Sequence, residues 1–192
     1  IFEPFSRVLR RIVRCEFEAV ELDSCILSKR SLRALTLIAA SSRLQSLCIK
    51  QKHGSALAVS DWRPFVHKLA QVNSLTRLDL SSPGLVHVFT PLINHSTCLR
   101  SLGTALLSKT PLPCRSLETL IVRLSGAFDD ERPTRQEGNA LRKARLTQLR
   151  DFTFAGSTML SDGGVATAVH ALRHCPLLRL DLSNHYGPVA AQ

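Results

Sequence analysis

The sequence predicts an α/β fold: a curved parallel sheet on the concave side, with helices on the convex side. Three observations predict it. A six-residue frame, L-x-x-L-x-L, recurs along the chain. The intervals between its copies carry apolar residues at helical spacing. The composition is 44% hydrophobic and 21% charged but only 5% aromatic, so a chain of 192 residues closes an aliphatic core rather than remaining disordered.

The frame is clearest in a repeated phrase, RLDLS, at Arg77–Ser81 and again at Arg179–Ser183. Each copy lies in a complete frame, Leu75-x-x-Leu78-x-Leu80 and Leu177-x-x-Leu180-x-Leu182. Five more copies follow the same rule: Phe17-x-x-Val20-x-Leu22, Leu44-x-x-Leu47-x-Ile49, Leu99-x-x-Leu102-x-Thr104, Leu117-x-x-Leu120-x-Val122 and Leu149-x-x-Phe152-x-Phe154. Frame starts at 17, 44, 75, 99, 117, 149 and 177 give steps of 27, 31, 24, 18, 32 and 28 residues. In a strand the last two apolar residues of each frame point the same way, here inward. One unit cannot cover its own apolar face, so neighbours stack and their strands pair in parallel. Leu120→Ala and Leu180→Ala are each expected to cost about 2–5 kcal/mol.

The elements fall in order around these frames. Residues 1–16 open with Arg7, Arg10, Arg11 and Arg14 among Phe5, Val8, Leu9, Ile12 and Val13, a basic amphipathic helix that caps the first unit. The chain starts at Ile1 rather than Met, which reads as a fragment or a processed form from which any targeting segment is already missing. Residues 27–41 contain a seeming frame at Leu32, but a strand there leaves only 12 residues before Leu44. That is too few for a strand, a helix and two turns, so the segment is helical. Residues 61–72 form a helix with Asp61 as its N-cap, and 85–95 form another. The 18-residue step after Leu99 is too short for a helix. The 32-residue step after Leu117 holds an insertion near 126–145. Ser161 and Asp162 cap the last helix, and Pro176 ends it. Residues 17–184 are the repeat domain, and 185–192 a tail.

The stretch 149–184 runs strand, turn, S/T-D-x-G helix start, amphipathic helix, C-P stop and strand. In this it resembles the leucine-rich repeat family, of the ribonuclease-inhibitor-like, cysteine-containing subtype, over roughly residues 17–184. The resemblance implies a leucine-rich-repeat solenoid of about seven repeats. The chain departs from the family after each frame, where Cys25, Lys52, Pro83, Leu107, Ser125, Ser157 and His185 stand and no asparagine ladder forms.

Six cysteines, Cys15, Cys25, Cys48, Cys98, Cys114 and Cys175, include no CxxC pair, which excludes a zinc ribbon and a thioredoxin-type motif. They read as reduced, mostly buried thiols of an intracellular protein. No stretch approaches the ~20 apolar residues of a spanning helix, and no secretory signal is visible. His170 and His174 stand four apart with Cys175 beside them, yet there is no HExxH. Asp129, Asp130 and Glu131 lack the spacing of a calcium loop. No G-x-S-x-G occurs, and the DGG at 162–164 is not followed by Lys-Ser/Thr. The reading is therefore non-catalytic, with no cofactor, no metal and no small-molecule substrate.

The outward residues of the frames form the candidate protein-binding surface: Glu21, Asp23, Lys50, Arg77, Asp79, Arg123, Asp151, Arg179 and Asp181. They are mixed in charge and not aromatic enough to stack bases. The net charge is nevertheless +10, which favours acidic partners. Candidate phosphate or RNA contacts are Arg7, Arg10, Arg11 and Arg14, with a second group at Arg132, Arg135, Arg142, Lys143 and Arg145. The function expected is an interaction or scaffold subunit of a multi-subunit intracellular assembly. The alternatives are an RNA-contacting ribonucleoprotein subunit of mitochondrial-ribosome type, and a substrate receptor of an F-box-type ubiquitin ligase, which the repeat subtype resembles. The compartment follows the partner: mitochondrial for the ribosomal reading, otherwise cytoplasmic.

Overall fold

Each of the seven frames becomes a strand, and each strand begins two residues after its frame does. A computed structural model describes residues 17–23, 27–39, 43–50, 57–81, 83–105, 116–124, 139–144, 146–156, 166 and 169–182. The strands are β1 (Ala19–Asp23), β2 (Ser46–Lys50), β3 (Arg77–Leu80), β4 (Ser101–Thr104), β5 (Thr119–Leu124), β6 (Asp151–Gly156) and β7 (Arg179–Asp181). They form one sheet in sequence order, and every pairing is parallel. Three helices alternate with the first strands: α1 (Lys29–Ala39), α2 (Val59–Ala70) and α3 (Pro83–His95). Residues 139–144 and 169–172 are also helical. The segments 1–16 and 183–192, residues 126–138 and 145 of the insertion, and the Ser161-Asp162 cap lie outside the described residues.

The register repeats without a slip. Glu21 pairs with Cys48, Cys48 with Asp79, Asp79 with Gly103, Gly103 with Ile121, Ile121 with Thr153, and Thr153 with Asp181. A second ladder holds this register at the strand entrances. The backbone carbonyl of the second frame residue accepts two N–H groups from the next unit, at Glu18, Gln45, Thr76, Arg100, Glu118 and Arg150 in turn. Gln45, for example, accepts from Thr76 and Arg77, both at 2.9 Å. Beside it, the Ser74 hydroxyl donates to the Leu44 carbonyl at 2.8 Å and the Ser116 hydroxyl to the Leu99 carbonyl at 3.0 Å. These serines stand one residue before the frames that begin at Leu75 and Leu117. The recurring Ser-Leu dipeptide was their signal in the sequence.

The core lies between sheet and helices. The inward residues of β2 to β6 are sealed, from Leu47 and Ile49 through Leu78, Leu80, Leu102, Thr104, Leu120 and Val122 to Phe152 and Phe154. Trp62 and Phe65 of α2 and Phe89 of α3 meet edge to face, each pair with centroids 6.1 Å apart, and lock the two helices together. The segment after Leu27 is a helix, as its distance from Leu44 requires. Ser28 caps it, accepting from the Ser31 N–H at 3.1 Å.

Two expectations need correction. Asp61 is not the N-cap of α2. The helix begins at Val59, and the Asp61 carboxylate reaches back to the Ala58 N–H at 3.0 Å, the returning half of a capping box. Leu180 is not sealed. It lies on the terminal strand and is 44% exposed, whereas Leu120 is fully buried.

Candidate functional site

The outward face of the sheet gathers the nine charged residues that the frames predicted, and it joins seven of them in ion pairs. At one end, the Lys50 ammonium meets the Glu21 carboxylate at 2.6 Å and lies 4.0 Å from Asp23. The hydrogen bond from Lys50 to Glu21 holds the ammonium above its usual lysine range. At the other end, Arg179 lies 3.6 Å from Asp181 on the same strand. Arg77 is exposed and Asp151 half-buried, in equivalent first positions of β3 and β6.

The centre differs in kind. The Arg123 guanidinium of β5 grips the Asp79 carboxylate of β3 through two bonds, Nη1 to Oδ1 at 2.5 Å and Nη2 to Oδ2 at 3.0 Å. This fork is the strong form of an arginine–carboxylate bond. It skips a strand, passing over Gly103 of β4. A Cβ on Gly103 would stand 2.6 Å from Asp79 Cγ and 2.8 Å from Arg123 Nη1, so only glycine leaves room. The Asp79 side chain is 4% exposed and that of Arg123 is 32% exposed. Asp79 is therefore a buried strut of this face, while Arg123 keeps an edge toward solvent. Cys48, the register neighbour of Asp79, is a free, half-buried thiol. Burial pushes it up, the Asp79 and Glu21 carboxylates add to the effect, and Lys50 and Arg123 oppose it.

Cys98 and Cys175 are likewise free and half-buried, so the described thiols are less enclosed than the sequence suggested. His170 and His174 are exposed, and they border a cleft of about 280 Å³ whose walls include Leu141, Leu146 and Ala171. His174 Nε2 is 2.9 Å from Arg173 Nε. Among the described residues, no group of three or more His, Cys, Asp and Glu could hold a metal ion. A second, polar groove of about 580 Å³ follows the strand entrances, where Arg100 and Glu118 close an ion pair at 2.5 Å. Of the basic candidates, Arg142 and Lys143 are exposed, and Arg142 donates to Asn139 at 3.2 Å. Arg7, Arg10, Arg11, Arg14, Arg132, Arg135 and Arg145 lie outside the described residues. Among the described residues no helix is long and apolar enough to cross a membrane.

No protein-family profile matches the chain, and no curated protein matches it. Among solved structures, one described as "Leiomodin-1 Actin-Binding Site 2 (ABS2)" aligns over 93% of this chain and 78% of that one, at 12% identity and a TM-score of 0.33. A likeness that loose carries no argument about fold or function.

Proposed function

We propose that the chain is a leucine-rich-repeat interaction module, a non-catalytic subunit that holds a protein partner against the outward face of its sheet. One observation carries the reading. Parallel sheets ordinarily have both faces covered. Here the inward face of β2 to β6 is sealed, while among the described residues the outward face bears charged side chains, most of them half-buried or exposed and seven of them joined in ion pairs. A face of that kind is rigid before a partner arrives, so docking costs little ordering entropy. Its charges, in fixed places and of both signs, favour one orientation of an oppositely patterned protein.

Arg77 and Asp151 are the residues through which this reading is tested, because both reach solvent and neither forms part of the buried strut. A crosslinked pull-down from native cells at two salt concentrations, with protein and RNA both identified, compares the parent with Arg77→Glu/Asp151→Arg. The expected result is one or a few proteins that persist through high salt with the parent and are lost with the variant. Equal capture by both chains would refute the assignment of this face.

A further inference from the structure

The helical layer is packed at one end and open at the other. Between α2 and α3, the rings of Trp62, Phe65 and Phe89 fill the junction edge to face. The later helical segments, 139–144 and 169–172, border a cleft of about 280 Å³. Its walls are largely apolar. Leu141 and Leu146 are buried and belong, with Leu172, to the core that backs the sheet. Ala171, half-buried, brings only a methyl group to the gap. Protein interiors are close-packed, and apolar walls without neighbours forgo their dispersion contacts. An apolar ligand of the right size restores them.

Two exposed arginines stand in the same walls, one from each side: Arg142 on segment 139–144 and Arg173 just after segment 169–172. Each is oriented by a neighbour that carries no negative charge. Arg142 Nη2 donates to Asn139 Oδ1 at 3.2 Å, and Arg173 Nε donates to His174 Nε2 at 2.9 Å. His174 accepts that bond as a neutral imidazole and adds no charge of its own. No carboxylate lines the cleft, and neither guanidinium meets an acid among the described residues. The remaining N–H groups of both forks are left for a ligand.

We propose that this cleft binds a small amphipathic anion, a medium-chain fatty carboxylate, with its tail on Leu141, Leu146 and Ala171 and its head on Arg142 and Arg173. The apolar walls select the tail and the two uncompensated cations select the head. The planar fork of arginine matches a carboxylate or a phosphate. Size decides between them. At the roughly 30 Å³ that a water occupies in the liquid, 280 Å³ holds about nine or ten non-hydrogen atoms. An eight-carbon carboxylate fills that space, whereas a phosphate head would take half of it. A strand or helix of a protein partner does not fit, since the cleft is smaller than the pockets that enclose a drug-sized ligand. The site uses no residue of the sheet face, so its failure would leave the reading of that face untouched.

The test is calorimetric titration of the full chain with sodium octanoate, and with acetate, octylamine and octyl phosphate as comparison probes. Cys175, half-buried in the cleft wall, supplies a second readout, its rate of alkylation by N-ethylmaleimide, with Cys98 of the separate polar groove as internal reference. The expected result is saturable octanoate binding that slows alkylation of Cys175 and leaves Cys98 unaffected. Acetate, lacking the tail, should bind at least about tenfold more weakly. Arg142→Gln/Arg173→Gln, at two exposed positions, should weaken octanoate at least about tenfold, and Arg77→Gln on the sheet face should keep the parent affinity. Ala171→Leu, checked by thermal melting for an intact fold, should fill the cleft and abolish binding. Absence of saturable octanoate binding, or equal affinity in the double arginine variant, would overturn the proposal. So would equal binding of octylamine, which would make the cleft a merely apolar gap, or tighter binding of octyl phosphate, which would replace the carboxylate head. Stronger protection of Cys175 by polyglutamate than by octanoate would overturn it in favour of an acidic protein.

Discussion

Replacing Gly103 by alanine adds one methyl group at the most crowded point of the outward face. The added carbon would stand 2.6 Å from Asp79 Cγ and 2.8 Å from Arg123 Nη1. Neither strand flanking β4 can withdraw, because both are in register with it. The bridge must yield. Overpacking of this kind costs about 1–3 kcal/mol, and each hydrogen bond to a charged group that is lost costs about 1.5–3 kcal/mol. The partial exposure of Arg123 lets water replace part of that loss. Alanine returns about 0.5–1 kcal/mol, because glycine is intrinsically unfavourable in a strand. The net expectation is a loss of about 1–3 kcal/mol, or about 3–10 °C in melting temperature for a chain of this size. Urea and thermal unfolding measure it. The decisive comparison is the same substitution in an Asp79→Ala background. There the carboxylate is gone and the released guanidinium can swing away, so Gly103→Ala should stabilise by about 0.5–1 kcal/mol. A destabilisation of equal size in both backgrounds would refute the idea that the glycine exists to make room for the bridge.

Three further outcomes follow from the same coordinates. Leu120→Ala should cost about 2–5 kcal/mol, whereas Leu180→Ala, at a site already 44% exposed, should cost clearly less; equal melts for the two would contradict the burial of β5. Arg123→Ala removes a cation that opposes the upward push on the Cys48 thiol and leaves the Asp79 carboxylate in place. The pH midpoint of Cys48 alkylation by iodoacetamide should therefore move up from the parent value, and a downward move would contradict the placement of Arg123. The Lys29 bond, aided by the Ala58 N–H, holds the Asp61 carboxyl below its ordinary range. The folded chain thus binds that proton less readily than the unfolded chain. Its contribution is present above the unfolded value of about 3.9 and is lost as pH falls through the lower folded value. Asp61→Asn should flatten the acid limb of a melting-temperature profile below about pH 4, and an unaltered limb would show that the contact is not made.

All seven strands were legible in the sequence because a strand's period of two and the inward demand for aliphatic residues are local properties. The frames at Leu99 and Leu149 were recognisable even with Thr104 and two phenylalanines in the leucine places, and each of these three residues proves fully or almost fully buried. The helix at α1 was separated from a false frame at Leu32 by counting residues alone. What was not legible depends on neighbours far along the chain. Asp79 and Arg123 are 44 residues apart, and the third party, Gly103, looks like an ordinary glycine until the register sets it between them. The sequence placed the positive charge in the N-terminal segment and in the insertion. Asp61 was seen as a capping residue but placed at the N-cap rather than at the third helical position, because the sequence does not reveal that the helix starts at Val59.

The carbonyl ladder at the strand entrances has a consequence for how such a chain can change. Glu18, Gln45, Thr76, Arg100, Glu118 and Arg150 each clasp the following unit through the same two N–H groups, whether the unit took 18 residues to return or 32. The pitch of the sheet is therefore set by a ruler of about 4.8 Å per strand and not by the length of the excursion between marks. Connecting segments can lengthen, shorten or be exchanged, as with the insertion after β5, while every outward side chain keeps its coordinates relative to the next. Such a chain separates what is free to vary from what must be aligned, and a partner reading the sheet meets the same grid whatever the connections carry.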